Sequence, residues 1–256
     1  MSAARRQAVL PGARRARGFT LVELMVTVAI ALFLLGGLVT VLENTRSTYG
    51  NQQALAQFQD RQRFAMAVLT SVIEAGGYYP SPTGETQISA LLPLAPNFGS
   101  GQAFYGTGTA GAAPGDTLDV RFRTTGGDGI INCSGGGNTG GAGVEHTYIN
   151  EFSIVAGQLA CALSVDGGAF TAPVPLVSGV TNLRVYYGVK RLTPFSDYNV
   201  DTYVPAASMN GSDWSQVSAV RVILTFANPL ANQPGQPATL DFERVVEVMA
   251  RAGEHT

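Results

Sequence analysis

Residues 24–42 run for nineteen positions without a charged side chain, and any fold for this chain must accommodate them. About 20 residues at ~1.5 Å each match a hydrocarbon core of ~30 Å, so the stretch predicts a membrane-spanning helix. Arg5, Arg6, Arg14, Arg15 and Arg17 precede it, and no acid does before Glu23. Positive charge stays on the cytoplasmic side, which puts everything after about residue 43 outside the cytoplasm. A secretory signal has similar charge and hydrophobicity, but its apolar core ends in small residues that a peptidase cuts. Here the run closes in Leu-Gly-Gly-Leu-Val-Thr-Val-Leu-Glu, and the small residue, Gly18, lies before it. Arg14-Arg15 lacks the usual context of a twin-arginine signal. A cut at Gly18 would remove the basic leader and keep the apolar helix.

Gly18-Phe19-Thr20-Leu21-Val22-Glu23-Leu24 resembles the prepilin motif of type IV pilins and type II secretion pseudopilins. The resemblance implies that a prepilin peptidase cuts between Gly18 and Phe19. It also implies methylation of the new amine of Phe19, and makes Glu23 the glutamate that pairs with a terminal amine during assembly. The physics of Glu23 points the same way. A carboxylate near the end of a membrane helix costs roughly 2.5–3.5 kcal/mol on insertion scales, so it needs a partner. The cation that cleavage creates is the amine of Phe19, four residues away or on a neighbouring subunit. Glu23 also stands in the first turn of the mature helix, where the macrodipole favours an anion.

Removal of residues 1–18 takes away five arginines and no acid, so the formal charge goes from −2 to −7. An acidic chain with one lysine, Lys190, is a poor general ligand for nucleic acid, which is held mainly through Lys and Arg. Cys133 and Cys161 are the two cysteines. In an oxidising compartment they point to one disulfide, the alternative being two buried thiols. With His146 and His255 remote from ligand spacing, no metal site is expected. Calcium on Asp128 and Asn132 fits no EF-hand spacing. No Ser or Cys lies in a nucleophile–base pattern, and a Cys133–His146 dyad would need a free thiol, so no catalytic residue and no cofactor are expected.

Downstream of the membrane run the helical period continues. Leu55, Phe58, Gln62, Ala65, Leu69, Val72 and Gly76 form a narrow stripe on a polar helix that Gly76-Gly77 should end. Fifteen of the 31 glycines lie between Gly99 and Gly143, which reads as loop around one strand at residues 117–123. Strands then dominate, at residues 147–155, 158–165, 183–189, 220–226 and 240–250. Residues 195–214, with Tyr198, Tyr203 and the following Trp214, read as a long surface loop. The order predicts an α+β fold, a long N-terminal helix packed on a C-terminal antiparallel sheet domain with Gly-rich loops. The expected division is a leader at 1–18, a helix at 19–77 that crosses the membrane at about 24–42, and an extracytoplasmic domain at 78–256.

Asn150-Glu151-Phe152, Leu159-Ala160-Cys161 and Asp213-Trp214-Ser215-Gln216-Val217 are similar to segments of the PilW-type minor pilins, although Glu243-Arg244-Val245-Val246-Glu247 is less basic. The resemblance implies a non-enzymatic minor pilin of a Gram-negative bacterium. Such a subunit is held in the inner membrane with its domain in the periplasm, then lies in the extracellular pilus, at its tip or in its initiation and assembly. Its implied partners are the peptidase, other minor and major pilins, the inner-membrane assembly machinery, and membrane lipid before assembly. Two alternatives stay open: a minor pseudopilin of type II secretion, and a tip adhesin using the aromatic loop.

Overall fold

The computed structural model describes residues 18–192 and 199–251, the side chain of Arg251 excepted. Its contacts divide the chain into two compact units, Met1–Gln52 and Gln53–Thr256. One helix, α1 (Leu21–Glu74), contributes to both.

In the first unit every side chain from residue 18 to residue 50 is exposed. The helix is unbroken through Gly36 and Gly37, where an added Cβ would meet nothing within 4 Å. Four threonine hydroxyls along this segment are satisfied by the helix itself. Thr27 donates to the Leu24 carbonyl at 2.9 Å, Thr40 to Gly36 at 3.0 Å, Thr45 to Val41 and Thr48 to Asn44, both at 2.8 Å.

In the second unit α1 buries the stripe that its period predicts. Phe58, Ala65, Met66, Leu69, Val72 and Ile73 are its buried residues. The helix stops at Glu74 because Gly77 takes the left-handed conformation (φ 79°) open to glycine. Gly76 lies so close to the Phe104 ring that a side chain there would collide with it.

Among the described residues nine strands follow, in two antiparallel sheets. The first is a meander of β1 (Phe104–Thr107), β2 (Thr117–Thr125), β3 (Glu145–Val155), β4 (Gln158–Val165) and β5 (Val174–Ser178), in that order. The β3–β4 turn is Ala156-Gly157, both at positive φ (50° and 72°), as a two-residue hairpin requires. The second sheet takes β6 (Val180–Val189), β7 (Thr202–Val204), β8 (Ala219–Ala227) and β9 (Thr239–Glu247) in the order β7-β6-β8-β9. Leu118, Val120, Phe122, Phe152 and Leu159 from the first sheet join Leu183, Val185, Val220, Leu224 and Phe226 from the second and the α1 stripe in one core. Phe58, Phe226 and Phe242 pack ring to ring at 5.6–5.7 Å.

The two sheets are joined by Asp116, which is buried. Its carboxylate accepts from the Val185 amide at 2.8 Å and the Ala110 amide at 3.0 Å, and its own amide donates to the Leu183 carbonyl at 2.8 Å. A short helix, α2 (Gln87–Ala90), lies within the segment that covers the outer face of the first sheet. That cover is fastened by Arg121, whose side chain is fully buried and points to the same face as Asp119 and Arg123. Its guanidinium donates to the carbonyls of Gln102 (2.8 Å), Leu92 (2.7 Å), Gly99 (2.9 Å) and Leu91 (3.4 Å), and stacks on Phe98 at 4.8 Å. Arg123 pairs with Glu85 and with Glu145. Burying a charge is costly unless donors and acceptors are matched, and here the backbone supplies the acceptors.

Candidate functional site

The residues expected to carry processing and assembly stand at the start of α1. Gly18 and Phe19 precede the helix and are exposed, Phe19 at 78%. An added Cβ at Gly18 would meet nothing within 4 Å. The peptide bond between them is therefore non-helical and open to an enzyme. Thr20 caps the helix, its hydroxyl accepting from the Glu23 amide at 3.3 Å. Thr20-x-x-Glu23 is the sequence form of a capping box, a signal that the sequence reading passed over. Glu23 thus sits at the third helical position, exposed, where the helix field favours an anion. Gly18 and Phe19 lie just before the helix and Glu23 in its first turn.

In the sheet domain the structure joins Cys133 to Cys161 in a disulfide, with Cα atoms 6.1 Å apart and a sequence separation of 28. Cys161 lies in β4 opposite Phe152, and Cys133 lies within the Gly-rich stretch, so the bond pins that stretch to the sheet. Asn150 completes the latch from a fully buried position. Its side-chain carbonyl accepts from the Cys133 amide at 2.8 Å and its NH2 donates to the Val120 carbonyl at 3.1 Å. Asn150 and Phe152 face inward while Glu151 faces out, which gives Asn-x-Phe its physical meaning. The pairing could be read from the cysteine count; the role of Asn150 could not, because it depends on a contact 17 residues away. With Cys133 bonded, a Cys133–His146 nucleophile is removed. His146 instead lies 2.6 Å from the Asp166 carboxylate.

Asp128 and Asn132 act as turn caps. The Asp128 carboxylate accepts from the amides of Thr125 and Ile130, and the Asn132 side chain from Ser134 and Gly136. Among the described residues no group of three His, Cys, Asp or Glu side chains is placed to hold a metal.

The expected aromatic loop at 195–214 needs correction. Tyr198 lies outside the described residues. The rest contains β7 and a 3-10 turn at Ala206–Ser208, and a second 3-10 turn at Asp213–Gln216 follows into β8. Trp214 packs on Tyr187 at 4.8 Å and Tyr105 at 5.2 Å. Asp213 is buried, 2.5 Å from Arg191. Tyr203 lies 5.6 Å from the Arg221 guanidinium. Core packing half-buries Trp214, whereas Tyr203 stays at the surface.

Opening the latch should be costly. On the chain-entropy account a loop of this length is worth about 3–4 kcal/mol. The double variant Cys133→Ser, Cys161→Ser is expected to lose that amount in urea unfolding of the full chain in micelles. A loss below about 1 kcal/mol would show that Asn150 and the sheet hold the loop without the bond.

Comparison with known proteins bears on both regions. The family model described as the prokaryotic N-terminal methylation motif matches residues 13–39, and the one described as Type IV pilus-assembly protein W matches residues 146–248. Pilin-like protein PilA3 of Thermus thermophilus is 28% identical over 210 residues, covering 79% of this chain and 81% of its own length. The solved structure of a type IV-like pilin from Thermus thermophilus aligns with a TM-score of 0.44 and 16% identity, over 76% of this chain and 97% of its own. The first match contains the helix start and the second holds β3, Asn150, Cys161 and all of the second sheet. The methylation-motif match at residues 13–39 and the PilW match over residues 146–248 make the chain similar to type IV pilin-like proteins.

Proposed function

We propose that this chain is a minor pilin of a type IV pilus that acts in initiation and assembly of the fibre or at its tip. Residues 1–18 are the leader, removed by prepilin peptidase between Gly18 and Phe19, after which the Phe19 amine is methylated. Residues 24–42 hold the precursor in the inner membrane, in contact with lipid, and residues 78–256 lie in the periplasm. On assembly the exposed apolar face of α1 packs on the helices of other minor and major pilins, and Glu23 neutralises a neighbour's terminal amine. The observation that carries this reading is the pairing of the methylation motif with a PilW-matching sheet domain on one chain. The uniformly exposed side chains of residues 18–50 support it, since apolar surface on that scale needs lipid or sister helices to cover it.

Counting surface pili by electron microscopy tests the assignment. In a strain lacking this chain, with retraction also disabled, few or no fibres are expected, and complementation should restore them. Normal fibre numbers would overturn the role in initiation and assembly, and a lost secreted-enzyme activity in the same strain would move the chain to type II secretion.

A further inference from the structure

Beside the Arg121-fastened cover, the outer face of the first sheet carries a cleft. A cleft of about 230 Å³ lies between residues 95–98 and the β4–β5 connection at 167–170. Asp119, Ile149 and Ser164 line it from the strands, and Phe98 and Phe170 from the connections. Asp119 is only 5% exposed, yet its Oδ1 accepts no hydrogen bond among the described residues. Arg121, two residues along the same face, donates to backbone carbonyls instead. The residue paired with Asp119 in β3 is a second acid, Glu151. Burial chiefly, and the Glu151 charge next, push the Asp119 carboxyl up to about 7. Ser164 does not relieve it, because its hydroxyl donates to the Gly168 carbonyl at 2.6 Å.

A carboxyl left without a donor beside a second acid and two aromatic rings has a defined complement. It needs a positively charged donor that brings its own apolar surface. An ammonium group supplies N–H donors to the carboxylate at charge-assisted strength, and an aromatic ring such as the exposed Phe170 recognises a cation through its face, Phe98 already being stacked on Arg121. A metal ion is a poorer fit, since among the described residues no third carboxylate, His or Cys joins the pair. An anion would face two acids. We propose that this cleft binds a small organic ammonium ion, a primary amine on a compact apolar body, with Asp119 as its counter-ion and Phe98 and Phe170 as its walls. Nothing in this rests on the maturation reading of the N-terminus.

The test is calorimetric titration of the full chain in detergent micelles at pH 8. Benzylamine is the probe, with benzyl alcohol and benzoate as neutral and anionic controls of the same shape. Saturable binding of benzylamine is expected, with benzyl alcohol at least roughly tenfold weaker and benzoate silent. Asp119→Asn should weaken benzylamine binding by the same factor or more. Ala169→Trp, which fills the exposed mouth and leaves Asp119 in place, should abolish binding and guards against misfolding of the first variant. Nα-acetyl-lysine amide is the second probe. If it binds more tightly than benzylamine the natural ammonium belongs to a polypeptide, and if more weakly to a free amine; either order supports the site. Equal binding of amine and alcohol, unchanged affinity in Asp119→Asn, or no saturation by either amine short of about 10 mM would each overturn it.

Discussion

Gly18→Ala keeps its leader, and the protein recovered from membranes carries the full mass of residues 1–18. The expectation follows from what the glycine does not do. It is exposed, precedes the helix, and has room for a methyl group with nothing within 4 Å, so alanine disturbs no packing in the chain. Whatever the substitution changes is therefore recognition by the peptidase. A normal mature mass in this variant would remove the cleavage site from the proposal. Glu23→Ala separates the next step. It leaves the amide that Thr20 caps in place and removes an anion worth about 0.3–1 kcal/mol at a helix start, too little to unfold α1. Cleavage should proceed normally while incorporation into fibres falls severalfold. Wild-type incorporation would mean that charge pairing with a neighbour's amine is dispensable.

The second large effect concerns Asp119 and has a sign that depends on pH. The folded carboxyl titrates at about 7, above the 3.8 of an unperturbed aspartate. The folded state therefore holds a proton that the unfolded state has already released. Between those values stability falls as pH rises, and above about 7 the penalty is complete. At ~1.36 kcal/mol per pK unit, about three units make the cost of this one group on the order of 4 kcal/mol at pH 8 and close to nothing at pH 4. Asp119→Asn removes the ionisation. Relative to the parent chain it should gain several kcal/mol on going from pH 4 to pH 8, on the order of 10 °C in Tm for a domain of this size. Melting curves followed by circular dichroism at both pH values check this. Parallel pH profiles for the two proteins would show that Asp119 is solvated or paired when folded.

How far the sequence announced these features varied with how local their causes are. Leu183, Val185, Tyr187 and Val189 alternate because β6 buries one face, and Phe58, Ala65, Leu69 and Val72 recur because α1 does. Both signals sit within one element. The Cys133–Cys161 bond was legible from a count and a compartment. By contrast Phe104–Thr107, Val174–Ser178 and Thr202–Val204 are strands of five residues or fewer, and Pro175 stands in one of them. Their existence depends on partners elsewhere in the chain. The joining of the two sheets is equally nonlocal, since Asp116 reaches the Val185 amide 69 residues away. Asp119-Val120-Arg121-Phe122-Arg123 announces a strand but not that its polar face is covered. The cover is irregular chain with one four-residue helix, and no period marks it.

The four threonines whose hydroxyls turn back onto α1 have a consequence for movement between media. Thr27 and Thr40 lie within the apolar run, and each hydroxyl already has its acceptor one turn earlier in the same helix. Such a surface asks nothing of its surroundings: it forms the same hydrogen bonds against acyl chains as against another helix. On the proposed pathway, leaving the bilayer for a fibre then breaks no polar contact along residues 24–42. Transfer exchanges one apolar contact for another at nearly constant polar enthalpy, and the directional preference is left to the head of the helix, where Glu23 finds its cation.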